Sequence, residues 1–149
     1  MHRVPLLLVA TVALPLALAA GAGASAATLR TTLNTWSKQI SADGRSVALA
    51  ARRRHPRRMT YSADRFHRDA LRARSAIAAQ EPTTAKGRRA RRLALTAYTY
   101  YSLAGSMWAA SGRARLAHQR AASITYAEDG ARYAKTGNRL LVAAGRLLR

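Results

Sequence analysis

Hydrophobic residues recur at intervals of three and four throughout the chain beyond residue 26, and this spacing constrains the fold more than any other feature. It places apolar side chains on one narrow stripe of an α-helix, which must be buried against other helices. No segment beyond residue 26 shows the apolar–polar alternation typical of a half-buried β-strand. The spacing therefore predicts an all-α domain over residues 27–149, long enough for one hydrophobic core.

Four stripes of this kind predict four helices. The first stripe extends from Leu29 to Ala50 and the second from Phe66 to Ile77. The third extends from Leu93 to Ser111 and the fourth from Tyr126 to Leu147. Because the connections between them are short, we expect the helices to form an antiparallel up-down four-helix bundle.

Proline and small polar residues predict where the first two helices end and begin. Pro56 disfavours helical geometry in the residue before it, so the first helix is expected to end within residues 52–56. Ser62 is the predicted N-cap of the second helix, with Tyr61 and Phe66 placed to form a hydrophobic staple.

The third helix is expected to begin after Thr83 or Thr84, either of which can cap it. Gly112 can adopt the left-handed conformation that commonly ends a helix, although a helix continuing through Gly112 fits the same sequence. The segment Leu93–Gly112 carries no charge, but its tyrosine, threonine and serine hydroxyls would be costly in hydrocarbon. We therefore expect a buried central helix and not a membrane span.

Two glycines, Gly130 and Gly137, lie on the predicted buried face of the fourth helix. A glycine inside a helix costs about 1 kcal/mol relative to alanine. Their position therefore predicts the close approach of a neighbouring backbone or bulky ring, for which tyrosines of the third helix are the candidates.

Residues 1–26 differ in composition from the rest of the chain and predict a cleavable secretory signal peptide. A short basic start leads into the apolar run Leu6–Ala20, and Ala24-Ser25-Ala26 forms an A-x-A cleavage site. The alternative is a retained membrane anchor, since Val4–Leu29 is uncharged and long enough to span a bilayer. Pro15 and the small residues before the site favour cleavage after Ala26.

The formal net charge of +20 at pH 7 predicts an anionic partner. Twenty-three of the 26 basic residues are arginines, whose guanidinium groups bind phosphate bidentately. For an exported protein the available anions are phospholipid head groups, wall polymers carrying phosphate or carboxylate, and nucleic acid only where it is extracellular. The chain contains no cysteine, so an exported domain must be held together by packing alone.

Three clusters of basic residues are candidate anion-binding surfaces. They lie in the first loop, at the start of the third helix and before the fourth helix, where His118 and Arg120 belong to the last cluster. An up-down bundle would bring the first and third loops to the same end. The predicted anion-binding residues are Arg52, Arg53, Arg54, Arg57, Arg58, Arg88, Arg89, Arg91, Arg92, Arg113 and Arg115.

Few residues are candidates for catalysis or metal binding. No group of histidine, aspartate and glutamate residues has the spacing of a metal site, so neither catalytic residues nor a metal or cofactor is predicted. The tyrosines and tryptophans at helical spacing are expected in the core and not around a ligand pocket. Asp43 falls on the first stripe and is either a buried carboxylate paired with arginine or a group reaching solvent at a kink beside Gly44. The kink is the favoured interpretation.

These observations lead to the hypothesis of a small secreted or envelope-associated helical protein without enzymatic activity. It would bind anionic components of the bacterial envelope through its arginine clusters. One alternative is a cationic, membrane-active effector that uses the segment Leu140–Arg149. Another is a carrier of small ligands, or an enzyme, that uses the interior of the bundle.

The signal-peptide prediction is tested by N-terminal sequencing of the exported protein. We expect its first residue to be Ala27, because signal peptidase cleaves after the A-x-A site. A chain that retains residues 1–26 in the membrane fraction would instead identify an anchor.

Overall fold

Four helices, and no strand, make up residues 25–149, the part of the chain that the computed structural model describes. The predicted signal peptide lies outside this part, except for Ser25 and Ala26. Ser25 caps the first helix by accepting a hydrogen bond from the Thr28 backbone N–H at 3.1 Å. The prediction of an all-α domain with four packed helices is confirmed. The helices are α1 (Ala26–Arg52), α2 (Pro56–Ala78), α3 (Ala85–Leu116) and α4 (Arg120–Leu147).

The helix α3 is the centre of the domain. Thirteen of its residues are buried, compared with four in α4, because α2 and α4 both pack along its length. The helix α1 packs mainly on α2 and meets α3 at few positions, and it makes no extensive contact with α4. Pairs of residues in contact between successive helices are Asp43–Arg65, His67–Ser102, Ile77–Arg91, Tyr101–Asn138 and Ser111–Ser123.

The beginning of α2 differs from the prediction. The helix starts at Pro56, which is the first helical residue, and Ser62 is buried inside the helix instead of capping it. Proline is well suited to the first position of a helix, because a backbone N–H at this position has no acceptor within the helix and its loss costs nothing. Tyr61 is 65% exposed and cannot form the predicted staple with Phe66.

The predicted cap at Thr84 is confirmed, since its hydroxyl accepts a hydrogen bond from the Gly87 N–H at 3.0 Å. Of the two predicted ends of α3, the continuation through Gly112 is correct. Gly112 lies against α2, where an added Cβ would be 3.0 Å from the Pro56 carbonyl oxygen. The absence of a side chain therefore serves helix packing here and not helix termination.

The predicted stripes describe α2 better than α3. All four stripe residues of α2 are buried, whereas Leu93, Tyr100 and Met107 on the α3 stripe are only partly buried. Tyr98 and Tyr101, on adjoining faces of α3, are buried instead, because α3 contacts helices on more than one side. No helix within residues 25–149 has the length and hydropathy required to span a bilayer, the uncharged part of α3 included.

The close approach predicted at the α4 glycines is confirmed. A Cβ added at Gly130 would lie 2.5 Å from the Trp108 indole, and one at Gly137 would lie 3.1 Å from the Tyr101 ring. A tryptophan, and not a tyrosine, therefore occupies the space beside Gly130. Gly105 of α3 has the same role toward α2, since a Cβ there would lie 2.8 Å from the backbone nitrogen of His67.

We expect Gly105→Ala to destabilise the protein by about 1–3 kcal/mol, because a methyl group at this position forces two backbones apart. Gly145→Ala is the matched control in α4, where a Cβ would have no neighbour within 4 Å. It should stabilise the protein by up to about 1 kcal/mol through helix propensity. Denaturant unfolding of both variants measures the difference, and equal effects would contradict the packing role of Gly105.

Candidate functional site

Two short turns with the same backbone conformation bring basic residues to one place. Residues 53–55 connect α1 to α2, and residues 117–119 connect α3 to α4. Each turn has a left-handed residue that is not glycine, Arg54 with φ 55° and His118 with φ 58°. In each turn the left-handed residue donates its backbone N–H to the carbonyl three residues earlier, Ala51 or Arg115. This conformation costs about 1–2 kcal/mol for a residue with a side chain.

The left-handed residues of both turns line a single concave site of about 710 Å³, which we call the arginine cleft. Four guanidinium groups border it, and none of the described residues lining it is acidic. Three of the residues that the sequence predicts to bind anions therefore lie around one site. They are Arg52, Arg54 and Arg115. The lining residues are Ala51, Arg52, Arg54, Arg115, His118, Arg120, Ser123 and Ile124.

The first turn of α4 adds to the positive potential of the cleft. This helix begins at Arg120, and no side chain caps it at Gln119. The first backbone N–H groups of a helix have no acceptor within the helix, and its dipole favours an anion at that end. A phosphate or carboxylate in the cleft would thus meet guanidinium groups at a helix end whose dipole favours negative charge.

The other predicted anion-binding residues do not join the cleft. Arg53 and Arg58 line a separate cavity of about 180 Å³ beside Tyr61. Arg113 forms an ion pair with Asp64 at 3.7 Å. The remaining residue on α2, Arg57, is exposed.

The cluster at the start of α3 is partly used for structure. Arg91 donates to the backbone carbonyl oxygens of Ile77 and Ala78, and so satisfies the C-terminal end of α2. Arg88 donates to the Thr83 carbonyl. Arg89 and Arg92 are exposed. Two arginines of this cluster are therefore engaged by backbone carbonyl groups around the α2–α3 connection.

Asp43 is buried, so the favoured prediction of a side chain reaching solvent at a kink is wrong. Its side chain is 0% exposed and lies 2.7 Å from the Arg65 guanidinium. The helix α1 continues through Gly44, where an added Cβ would lie 3.6 Å from the Phe66 ring. Because α2 packs closely over this part of α1, the carboxylate is covered and Arg65 is brought to it.

Asp43 belongs to a polar network between α1 and α2. The Gln39 amide donates to Asp43 at 3.3 Å and to Asp69 at 3.2 Å, and Arg72 pairs with Asp69 at 3.0 Å. Burial raises the pKa of Asp43 above its usual value, and the hydrogen bond with Asp69 raises it further, whereas Arg65 and Gln39 lower it. This network holds buried charge between two helices.

Two of the tyrosines that the sequence predicts to lie in the core are buried. Tyr98 is 0% exposed and Tyr101 is 4% exposed, and burial raises the pKa of Tyr98 to about 12. Tyr126 of α4 is exposed instead. Within residues 25–149, no three histidine or acidic side chains lie close enough together to hold a metal ion.

The comparisons with known proteins give no relative for this chain. No protein-family model matches the sequence. No match was found among curated proteins or among solved structures.

We expect Asp43→Ala to lower the free energy of unfolding by about 1–3 kcal/mol, because Gln39 loses a buried acceptor and Arg65 its partner. Asp64→Ala is the control, since its ion pair with Arg113 is solvent-exposed and should contribute less than about 1 kcal/mol.

The cost of Asp43→Ala should also depend on pH. A carboxyl group whose pKa is raised on folding stabilises most when protonated, and this stability is lost as pH rises through the folded-state pKa. The difference between wild type and variant should therefore shrink from about pH 4 to about pH 7. Thermal melting at both pH values measures it, and a difference that grows with pH would contradict the raised pKa.

Proposed function

We propose that this protein binds anionic components of the bacterial envelope through the arginine cleft and has no enzymatic activity. The observation that carries the proposal is the convergence of Arg52 and Arg54 with Arg115 and Arg120 around one concave site. The first pair lies more than sixty positions before the second in the chain, and all four charges repel one another. An arrangement of like charges without an acidic partner is favourable when a polyanion occupies the site.

The partner we propose carries phosphate or carboxylate groups, as wall polymers and phospholipid head groups do. Arginine binds both groups through two parallel hydrogen bonds. The formal net charge of +20 would draw the protein to such surfaces from a distance. The predicted signal peptide supports a secreted or envelope-associated location, where these anions are abundant.

The proposal includes an antiparallel up-down arrangement of the four helices. Contacts between successive helices support it, because residues late in one helix meet residues early in the next. Thus Ile77 near the end of α2 meets Arg91 near the start of α3, and Ser111 near the end of α3 meets Ser123 near the start of α4. With this arrangement the first and third turns share one end, which accounts for the cleft between them.

Sedimentation with vesicles that contain phosphatidylglycerol, and with purified bacterial cell walls, tests this function. We expect binding to either surface to weaken at least about tenfold between about 50 mM and about 500 mM salt, because the contacts are charge pairs. The triple variant Arg52→Ala, Arg54→Ala, Arg115→Ala should bind about tenfold more weakly than wild type at low salt.

The matched control removes the same charge from exposed positions outside the cleft, Arg30→Ala, Arg139→Ala and Arg146→Ala. It should lose less than about threefold in affinity. Equal losses in the two triple variants would show that net charge alone, and not the cleft, determines binding. Dye release from the vesicles would instead indicate a membrane-active effector.

A further inference from the structure

Another concave site lies between α1 and α4, where these two helices do not pack extensively against each other. Its volume is about 560 Å³, within the range of about 300–1,000 Å³ that is typical of small-molecule sites. We call it the aromatic groove, after the three rings at its base. Those rings are Phe66, Tyr101 and Trp108.

The base of the groove is held in place by packing. Phe66 contacts Tyr101 and Trp108 edge to face, with ring centroids 5.9 Å and 5.3 Å apart. The Tyr101 hydroxyl donates a hydrogen bond to the Asn138 side chain at 2.5 Å. The Trp108 indole packs against the backbone of α4 at Gly130, which has no side chain to displace it. The groove is therefore formed before any ligand arrives.

The two walls differ in character. The α4 wall is mostly apolar, with Ala134 and Leu141 partly buried and Val142 55% exposed, and Asn138 is its one polar lining residue. The α1 wall carries Ser41 and the exposed Arg45. Among residues 25–149, no acidic side chain lies within 4.0 Å of Arg45, unlike Arg65 on α2, which pairs with Asp43.

We infer that the aromatic groove binds a single-chain anionic amphiphile, with its hydrocarbon chain over the aromatic rings and its carboxylate or phosphate on Arg45. An apolar floor with one charged group at the wall is the usual composition of a site that fixes a ligand's orientation. A desolvated hydrocarbon chain gains from burial against Trp108 and Val142, and the guanidinium selects an anionic head.

A second copy of this chain is a poor occupant of the groove. Two molecules that each carry a formal charge of +20 repel each other at any interface without anions. The same charge favours an anionic ligand over a neutral one of equal length. The inference does not depend on the arginine cleft, since the residues lining the two sites do not overlap.

Tryptophan fluorescence tests the groove. The two tryptophans are Trp36 and Trp108, so Trp36→Phe leaves Trp108 as the single reporter. Dodecanoate, kept below its micellar concentration, should change Trp108 emission in a saturable manner. Binding should persist at about 500 mM salt, because burial of the hydrocarbon chain is not screened. Calorimetric titration of the wild-type protein should give the same dissociation constant for dodecanoate without any substitution.

Two substitutions locate the ligand. Ala134→Phe fills the groove and should weaken dodecanoate binding at least about tenfold, whereas Ala131→Phe at an exposed position of α4 should not. Arg45→Gln should weaken dodecanoate binding about tenfold and leave binding of the neutral dodecanol unchanged.

Absence of saturable binding would overturn the inference, and so would equal effects of the two alanine substitutions or equal affinity for dodecanoate and dodecanol. The cleft variant Arg52→Ala, Arg54→Ala, Arg115→Ala should bind dodecanoate as the wild type does. A loss in that variant would place the ligand in the arginine cleft and also contradict the inference.

Discussion

The close approach of α3 to its two neighbours is the constraint on which the rest of the structure depends. Where α3 meets α2, the backbone at Gly105 lies against the backbone of His67. Where α3 meets α4, the rings of Tyr101 and Trp108 occupy the space left by Gly137 and Gly130. A chain without cysteine gains its stability from such contacts, because dispersion and burial both increase as the helices come closer.

The two concave sites to which binding is assigned, the arginine cleft and the aromatic groove, have different chemistry. Residues 53–55 connect α1 to α2 and residues 117–119 connect α3 to α4, and these two three-residue turns bring Arg54 and His118 to one cleft. Aromatic side chains of α2 and α3 line the floor of the other site, where α1 and α4 leave a gap. Phe66 and Tyr101 are buried there, and Trp108 is partly exposed. The arginine cleft is bordered by guanidinium groups and the aromatic groove by aromatic rings.

The sequence was sufficient to predict helix number and the buried face of α2, because short-range spacing determines which residues share a helix face. It was insufficient for α3, which is covered on more than one side, and for Asp43, whose burial depends on α2 lying over it. Pro56 can either end one helix or begin the next, and local pattern does not decide between them. Three predicted arginines meet in the cleft, but no sequence signal marked the left-handed conformation of Arg54, where glycine would be expected.

The position of α1 has a consequence for how the domain opens. This helix packs mainly on α2, so releasing it exposes one interface and leaves α2, α3 and α4 in contact. Cooperative units with the fewest neighbours open at the lowest free energy. Backbone amides of α1 should therefore exchange with solvent through a partial unfolding event, whereas those of α3 exchange only when the whole domain unfolds. Since α1 also forms one wall of the aromatic groove, a molecule bound there would raise the free energy of that partial opening.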